Sequence, residues 1–394
     1  MTDLLAREAA VVMQTYARVP VAFVRGSGSW LWDEGGRRYL DCLTGLAVVS
    51  VGHANPRVAG AVAAQMTTLT HVSNLFTTEP MVELAERLTG LSGLDRVFFA
   101  NCGATANEAA IKLARRWGGR RRGPECIEVV SLDGSFHGRT LATLAATGQP
   151  GKQAVFQPLP PGFRQVPAGD LEALEQAVTE RTAAVMLETI LGEGGVVPLD
   201  EGYLAGVRAL CDERDVLLVV DDVQAGVGRT GTWFSWQRLG IEPDVATLAK
   251  ALANGLPIGA CLARQEVAEA FDRGDHATTF GGGPVVSAAA LAVLDEIADR
   301  GLLGNCRDRS AQLRSGLAGL PGVAGVRGRG LLLAAVLAEP RAGEVVMAAL
   351  GAGLVVNAVR PDAIRFAPPL TISAEEVDEA VGLLHTVLAQ TVGG

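Results

Sequence analysis

Two short apolar runs in this chain each end in a residue able to do acid–base chemistry. Val216-Leu217-Leu218-Val219-Val220 leads into Asp221, and Val245-Ala246-Thr247-Leu248-Ala249 leads into Lys250. Runs of that length read as buried strands, and in open α/β sheets ligands bind at the carboxyl edge of the strands. Taken singly, a lysine leaving an apolar strand is more often a snorkelling stem with a solvated head. Three further segments bear on the choice. Asn101 to Glu108 joins a strand-like run (Val97 to Ala100) to an apolar-periodic helix through small residues. Free backbone N–H groups at such a start suit a phosphate, although a plain strand-to-helix turn looks the same. Phe136-His137-Gly138-Arg139-Thr140 offers an aromatic face, an imidazole and a guanidinium that can fork onto a carboxylate. Each of these residues also has an ordinary structural reading, His137 included.

Gly226-Val227-Gly228-Arg229-Thr230-Gly231 fits the dinucleotide pattern G-x-G-x-x-G. Two features weigh against a nicotinamide site: Asp221-Asp222-Val223-Gln224 separates the first glycine from its strand, and the next strand ends in Lys250 where a ribose would need an acid. A Walker A loop, H-E-x-x-H and G-x-S-x-G are all missing from the sequence. A strand-end lysine, a strand-end acid, a helix start, a stacking aromatic and arginines together meet the needs of pyridoxal phosphate. That cofactor takes an amine for its aldehyde, an acid for its ring nitrogen and donors for its phosphate.

The elements that must hold these groups are legible as a pattern. A β-rich start (Val21 to Leu43) follows a short amphipathic helix, and from Pro56 onward helices alternate with apolar strands. Such alternation predicts an α/β architecture, with a mainly parallel central sheet covered by helices. We expect an N-terminal segment at 1–55, a large cofactor-binding domain at 56–285 and a smaller α+β domain at 286–394. With 34 basic and 43 acidic residues among 394, net charge −9, neither nucleic acid nor an anionic membrane is expected as partner. Six widely spaced cysteines without C-x-x-C read as free thiols, and no metal site is expected. The first 14 residues lack a signal peptide's basic start and apolar centre, and no apolar run reaches membrane-span length. A cytoplasmic protein is the expectation.

These motifs resemble the class III (subgroup II) pyridoxal-phosphate aminotransferases. The likeness runs over most of the chain, from Gly52-His53-Ala54-Asn55-Pro56 through Asn101 to Arg115, Phe136 to Gly148, Glu193-Gly194-Gly195-Val196, Asp221 to Gly259, Thr278-Thr279-Phe280-Gly281-Gly282 and Ile364 to Leu370. It implies the type I fold of such enzymes, with a small domain built from both chain ends, and a homodimer with shared sites. It also implies roles. Lys250 would bond the cofactor, Asp221 meet the pyridine nitrogen, Gln224 the ring hydroxyl side, Phe136 the ring face, and Gly103 with Ala104 the phosphate. Thr279 would reach the phosphate from the other subunit, with Thr278 beside it near the substrate. Arg365 would hold an α-carboxylate and Arg139 a distal carboxylate or acyl-bearing group, while Glu193 would gate an arginine between half-reactions. Within the class the resemblance is greatest to enzymes acting on N2-acetyl-L-ornithine and 2-oxoglutarate in arginine biosynthesis. Relatives using succinylornithine, ornithine, 4-aminobutyrate or a carrier-linked lysine precursor share these motifs, and an aminomutase would share the lysine. Departures are Cys102 for serine, Thr105 for glutamate, Asp222 for glutamate, Thr189 and Leu191 before the gate, Ala251, Ala253 and Asn254 after the lysine, and Gly283. A thiol donates weakly, so phosphate binding is expected to lean on backbone groups.

Overall fold

The computed structural model describes residues 3–392, so the first and last two residues of the expected terminal segments lie outside it. Its centre is a seven-stranded sheet in the order Arg96–Ala100, Gly259–Ala263, Val245–Leu248, Leu217–Asp221, Thr182–Leu187, Glu128–Leu132, Phe163–Val166. All neighbours pair in parallel except Gly259–Ala263, which runs antiparallel to both of its own. Because every other strand points the same way, the ends at Ala100, Leu248, Asp221, Leu187 and Leu132 share one edge.

The near-continuous apolar runs follow from cover on both faces. Thr182–Leu187 is buried at every residue. Side chains alternate between faces, so Leu218 and Val220 join one core cluster while Leu217 and Val219 join the other. The helix Gly103–Arg122 packs across five of the central strands. On the chain's return from the sheet, Pro284–Asp299 packs against the helices Pro56–Thr68 and Glu79–Ser92. Asn55 caps the first of these, accepting from the N–H groups of Arg57 and Val58 while its amide donates to Glu296 at 3.0 Å.

Two central strands are not announced by the sequence pattern: the edge strand Phe163–Val166, and Gly259–Ala263, whose glycine start merges with the preceding turn. That glycine is required. A Cβ there would lie 2.4 Å from the carbonyl oxygen of Cys102, so the strand could not approach the start of the Gly103–Arg122 helix.

Both chain ends meet outside the central sheet. The strands Phe23–Ser27, Trp30–Asp33 and Arg38–Asp41 form a sheet with Leu354–Val355, the last pairing with Leu354 opposite Leu40. A second four-stranded sheet runs Val323–Arg329, Leu332–Leu337, Ala363–Phe366, Asn357–Arg360, with Leu302–Ala318 packed on it and Ala374–Val392 packed on that helix. Among the described residues no helix is long and apolar enough to cross a membrane, and no group of side chains could hold a metal ion. The six cysteines are free, and only Cys102 is exposed.

Candidate active site

The carboxyl edge of the sheet opens into a cavity of about 390 Å³, lined among others by Gly103, Ala104, Phe136, Arg139, Glu193, Asp221, Gln224 and Lys250. Eight residues expected from the sequence to meet here therefore do so. Asp221, the last residue of its strand, is 4% exposed. Its carboxylate accepts from Asn107 Nδ2 at 2.8 Å and the backbone N–H of Val223 at 3.1 Å, and His137 Nδ1 lies 2.8 Å away. Asn107 is fixed in turn: it accepts from the Thr247 hydroxyl at 2.6 Å and donates to the carbonyl of His137 at 2.7 Å. One helix, two strands and the loop after Glu128–Leu132 thus converge on one carboxylate. Neither the role of Asn107 nor that of His137 was visible in the sequence, since their partners lie 114 and 84 residues away.

Lys250 opens the 3₁₀ turn Lys250–Ala253 with φ +40°, a left-handed conformation that is costly for a side chain with a Cβ. Burial pulls its pKa down, opposed by the charges of Glu193 and Asp221. The ammonium group therefore gains attraction from the cavity's acids without being locked to one of them.

At the helix start, the Thr105 hydroxyl accepts from the backbone N–H groups of Asn101 and Cys102, each at 3.0 Å. It does locally what the expected glutamate would do by a longer reach. The first-turn N–H groups of Gly103 and Ala104 have no partner inside the helix. A Cβ on Gly103 would fall 2.7 Å from Val223 Cγ1, so the absence of a side chain keeps this corner open.

Phe136 is flanked by two cations, with the Arg139 guanidinium carbon 5.7 Å and the Lys152 ammonium 5.6 Å from its ring centroid. Opposite, Arg365 is 1% exposed and pairs with Glu193 through Nη1, which also donates to Gln224 Oε1 at 3.1 Å. Burial alone would raise the Glu193 carboxyl, but the charge and hydrogen bond of Arg365 outweigh it and leave its pKa lowered. Glu188 is a third acid lining the cavity, one residue past the end of the strand Thr182–Leu187, on the same edge as Asp221. Burial and the nearby Asp221 push its carboxyl up to about 7, against the opposing influence of His137. The strand-end position was there to be read, although the sequence pattern alone did not single it out.

Two expected residues are not brought in. Thr278 is tied to Asn101 at 3.1 Å, outside the cavity lining, and Thr279 is exposed beside Ser73 and Asn74. Neither faces the cavity of its own chain.

A buried acid, an unlocked amine, a helix start without side-chain cover and an aromatic ring fit pyridoxal phosphate, and the volume lies in the range of about 300–1,000 Å³ common for small-ligand sites. Residues 11–388 match the family model for class-III aminotransferases. The chain is 52% identical over 384 residues to the acetylornithine aminotransferase of Gloeobacter violaceus, covering 96% of each, and 49% identical to that of Streptomyces coelicolor, covering 98% and 96%. Among solved structures it superposes on N-acetylornithine aminotransferase from Stenotrophomonas maltophilia at TM-score 0.85, 38% identity and 99% coverage of each chain. The ornithine aminotransferase of Toxoplasma gondii gives TM-score 0.95 at 33% identity, covering 99% of this chain and 95% of that one. The architecture is accordingly the type I fold of pyridoxal-phosphate-dependent transferases. By the near-complete family match and these full-length likenesses, the chain belongs to the class-III aminotransferases, enzymes dependent on pyridoxal phosphate.

Proposed function

We propose that the protein moves the terminal amino group of N2-acetyl-L-ornithine to 2-oxoglutarate, giving N-acetyl-L-glutamate 5-semialdehyde and L-glutamate. The observation that carries this reading is the Glu193–Arg365 pair beside Lys250, with Arg139 across the same cavity. Such a site must take glutamate, with a carboxylate next to its reacting carbon, and a terminal amine that has none there. Arg365 paired with Glu193 suits the amine, and Arg365 released suits glutamate. The identity of the amine is supported by the acetylornithine-specific names of the relatives sharing half the sequence.

Bound pyridoxal phosphate supplies an electron sink for the carbanion left when a substrate C–H proton departs. The side chains do the rest. Asp221 holds a proton on the ring nitrogen, with Asn107 and His137 fixing its orientation. Lys250 would take the proton from the substrate carbon and carry it for return, and its lowered pKa raises the fraction of neutral amine available for that task. Gly103 and Ala104 donate backbone N–H groups to the phosphate, Phe136 covers one ring face, and Gln224 meets the ring hydroxyl side. Arg139 takes the distal carboxylate of glutamate or the corresponding end of the acylated amine. Thr279 reaches the phosphate, and Thr278 the substrate, from a second copy of the chain, which makes the working unit a homodimer. In this reading 1–55 and 286–394 form the small domain around the 56–285 cofactor domain, and the free thiols suit the reducing cytoplasm.

The test is a panel of single amines mixed with cofactor-loaded protein, followed by the cofactor's absorbance change. Acetylornithine is expected to convert the cofactor and 2-oxoglutarate to restore it. Conversion by ornithine or 4-aminobutyrate but not by acetylornithine overturns the substrate. Turnover without any oxo acid would indicate an isomerase instead.

A further inference from the structure

Glu188 makes contacts that the roles above leave unused. One oxygen, Oε1, accepts from the backbone N–H of Phe136 at 2.8 Å, and the other, Oε2, accepts from the backbone N–H of Gly192 at 3.1 Å. Both loops so held carry substrate-facing groups. Phe136 lies against Arg139. Gly192 precedes Glu193, and its carbonyl lies 3.4 Å from the same Nη1 of Arg365 that pairs with Glu193. Gly192 cannot be padded by a side chain to hold this place, because a Cβ there would lie 2.2 Å from Gln224 Oε1. The turn is therefore positioned by its hydrogen bonds. The acid is 6% exposed, so solvent cannot replace it as acceptor for either N–H group.

We propose that Glu188 is a positioning residue for substrate choice: by clamping Gly192 it holds Glu193 against Arg365, and so sets how well the enzyme accepts an amine that lacks a carboxylate at its reacting end. The inference rests on the gate reading above. It extends that reading from the pair itself to the buried acid that aims it. Without the clamp, Glu193 competes less well for Arg365, which favours glutamate over the terminal amine.

Glu188→Gln tests this with little change of shape. The amide keeps one acceptor oxygen, which the shorter bond to Phe136 retains, and turns its NH₂ toward the Gly192 N–H. The ratio of kcat/KM for glutamate to kcat/KM for acetylornithine, measured in separate half-reactions above about pH 8, where Glu188 is ionised, is expected to rise roughly tenfold, as for one lost hydrogen bond to a charged group. Most of that rise should come from KM for acetylornithine. In a Glu193→Gln background the same change is expected to add nothing, since its effect passes through Glu193. An unchanged ratio, or an equal rise without Glu193, overturns the inference, as does a fall in thermal midpoint with both half-reactions intact. Glu188→Ala, which removes both acceptors, is expected to move the ratio further in the same direction. If the wild-type protein fails to react with acetylornithine, the substrate reading fails first, a result separate from any failure of Glu188.

Discussion

The two ends of the cofactor site are built in opposite ways. At the ring end, Asp221, His137, Asn107 and Thr247 are each no more than 4% exposed, and their side chains bond to one another, to the His137 carbonyl and to the Val223 N–H. At the phosphate end, Thr279 is exposed and its surroundings carry uncovered apolar side chains, with Leu75 86%, Phe76 66% and Phe280 66% exposed. That polar cluster is assembled by one chain alone. An apolar patch of that kind is the face that the second copy in the proposed dimer would cover. The difference teaches that one chain can orient the ring but, in the proposed dimer, two are needed to seat the phosphate.

The sharpest way to break the ring end is Lys250→Ala. Removing the group proposed to carry the substrate proton is expected to lower turnover by about 10⁴-fold with cofactor in excess. Steady-state rates with acetylornithine and 2-oxoglutarate measure it, and activity within tenfold of wild type would remove Lys250 from the chemistry. Next comes Asp221→Ala, which leaves the Asn107 and His137 donors facing an empty place and the ring nitrogen without its acid. If losing one partner of a buried charged pair costs about 3–5 kcal/mol, turnover should fall roughly 10²- to 10³·⁵-fold. Near-full activity in the same assay would show that the acid only packs.

The phosphate end is tested by mixing. Thr279→Ala is expected to weaken cofactor binding about 10- to 100-fold, the loss of one charge-assisted hydrogen bond. A hybrid of Lys250→Ala and Thr279→Ala subunits then distinguishes the two ends. If Thr279 serves the other chain, the hybrid holds one live site with both residues native, and that site binds cofactor with wild-type affinity. Weakened affinity in the hybrid's live site would mean that Thr279 serves its own chain.

How much of this was legible follows the same division. Asp221, Lys250 and the Gly103 helix start sit where apolar runs meet helices, and local pattern is enough to find them. Gly259–Ala263 was lost because glycine and alanine have weak strand preference, and only packing between Arg96–Ala100 and Val245–Leu248 makes it a strand. Asn107 sits in a helix with no signal that it will bond an aspartate 114 residues away. Glu188 looked like a charge ending a strand, and its importance depends on two backbone N–H groups delivered by loops. The expected roles of Thr278 and Thr279 came from the resemblance alone, because residues that act across an interface leave no pattern in their own chain.

The smallest effect on the chemistry is expected at Asp222, which adjoins the ring acid but points away into the packing. Its Oδ2 accepts from the Ser235 N–H at 3.1 Å, and its Oδ1 has no partner among the described residues. Burial pushes this carboxyl up from 3.8 to about 8, with Ser235 opposing the shift and Asp221 adding to it. Between those values the folded chain keeps a proton that the unfolded chain has released. Folding is therefore proton-linked with a negative slope: stability is fullest at or below about pH 4 as far as this group is concerned, and declines as pH rises toward 8. Asp222→Asn carries no titrating group, so its denaturation midpoint at fixed protein concentration should fall less than the wild type's between pH 5 and 8. Parallel pH profiles would show that the acid is already ionised in the fold. They would also shrink the contrast between a sealed ring end and an open phosphate end, because a carboxylate ionised there would have to be reached by water.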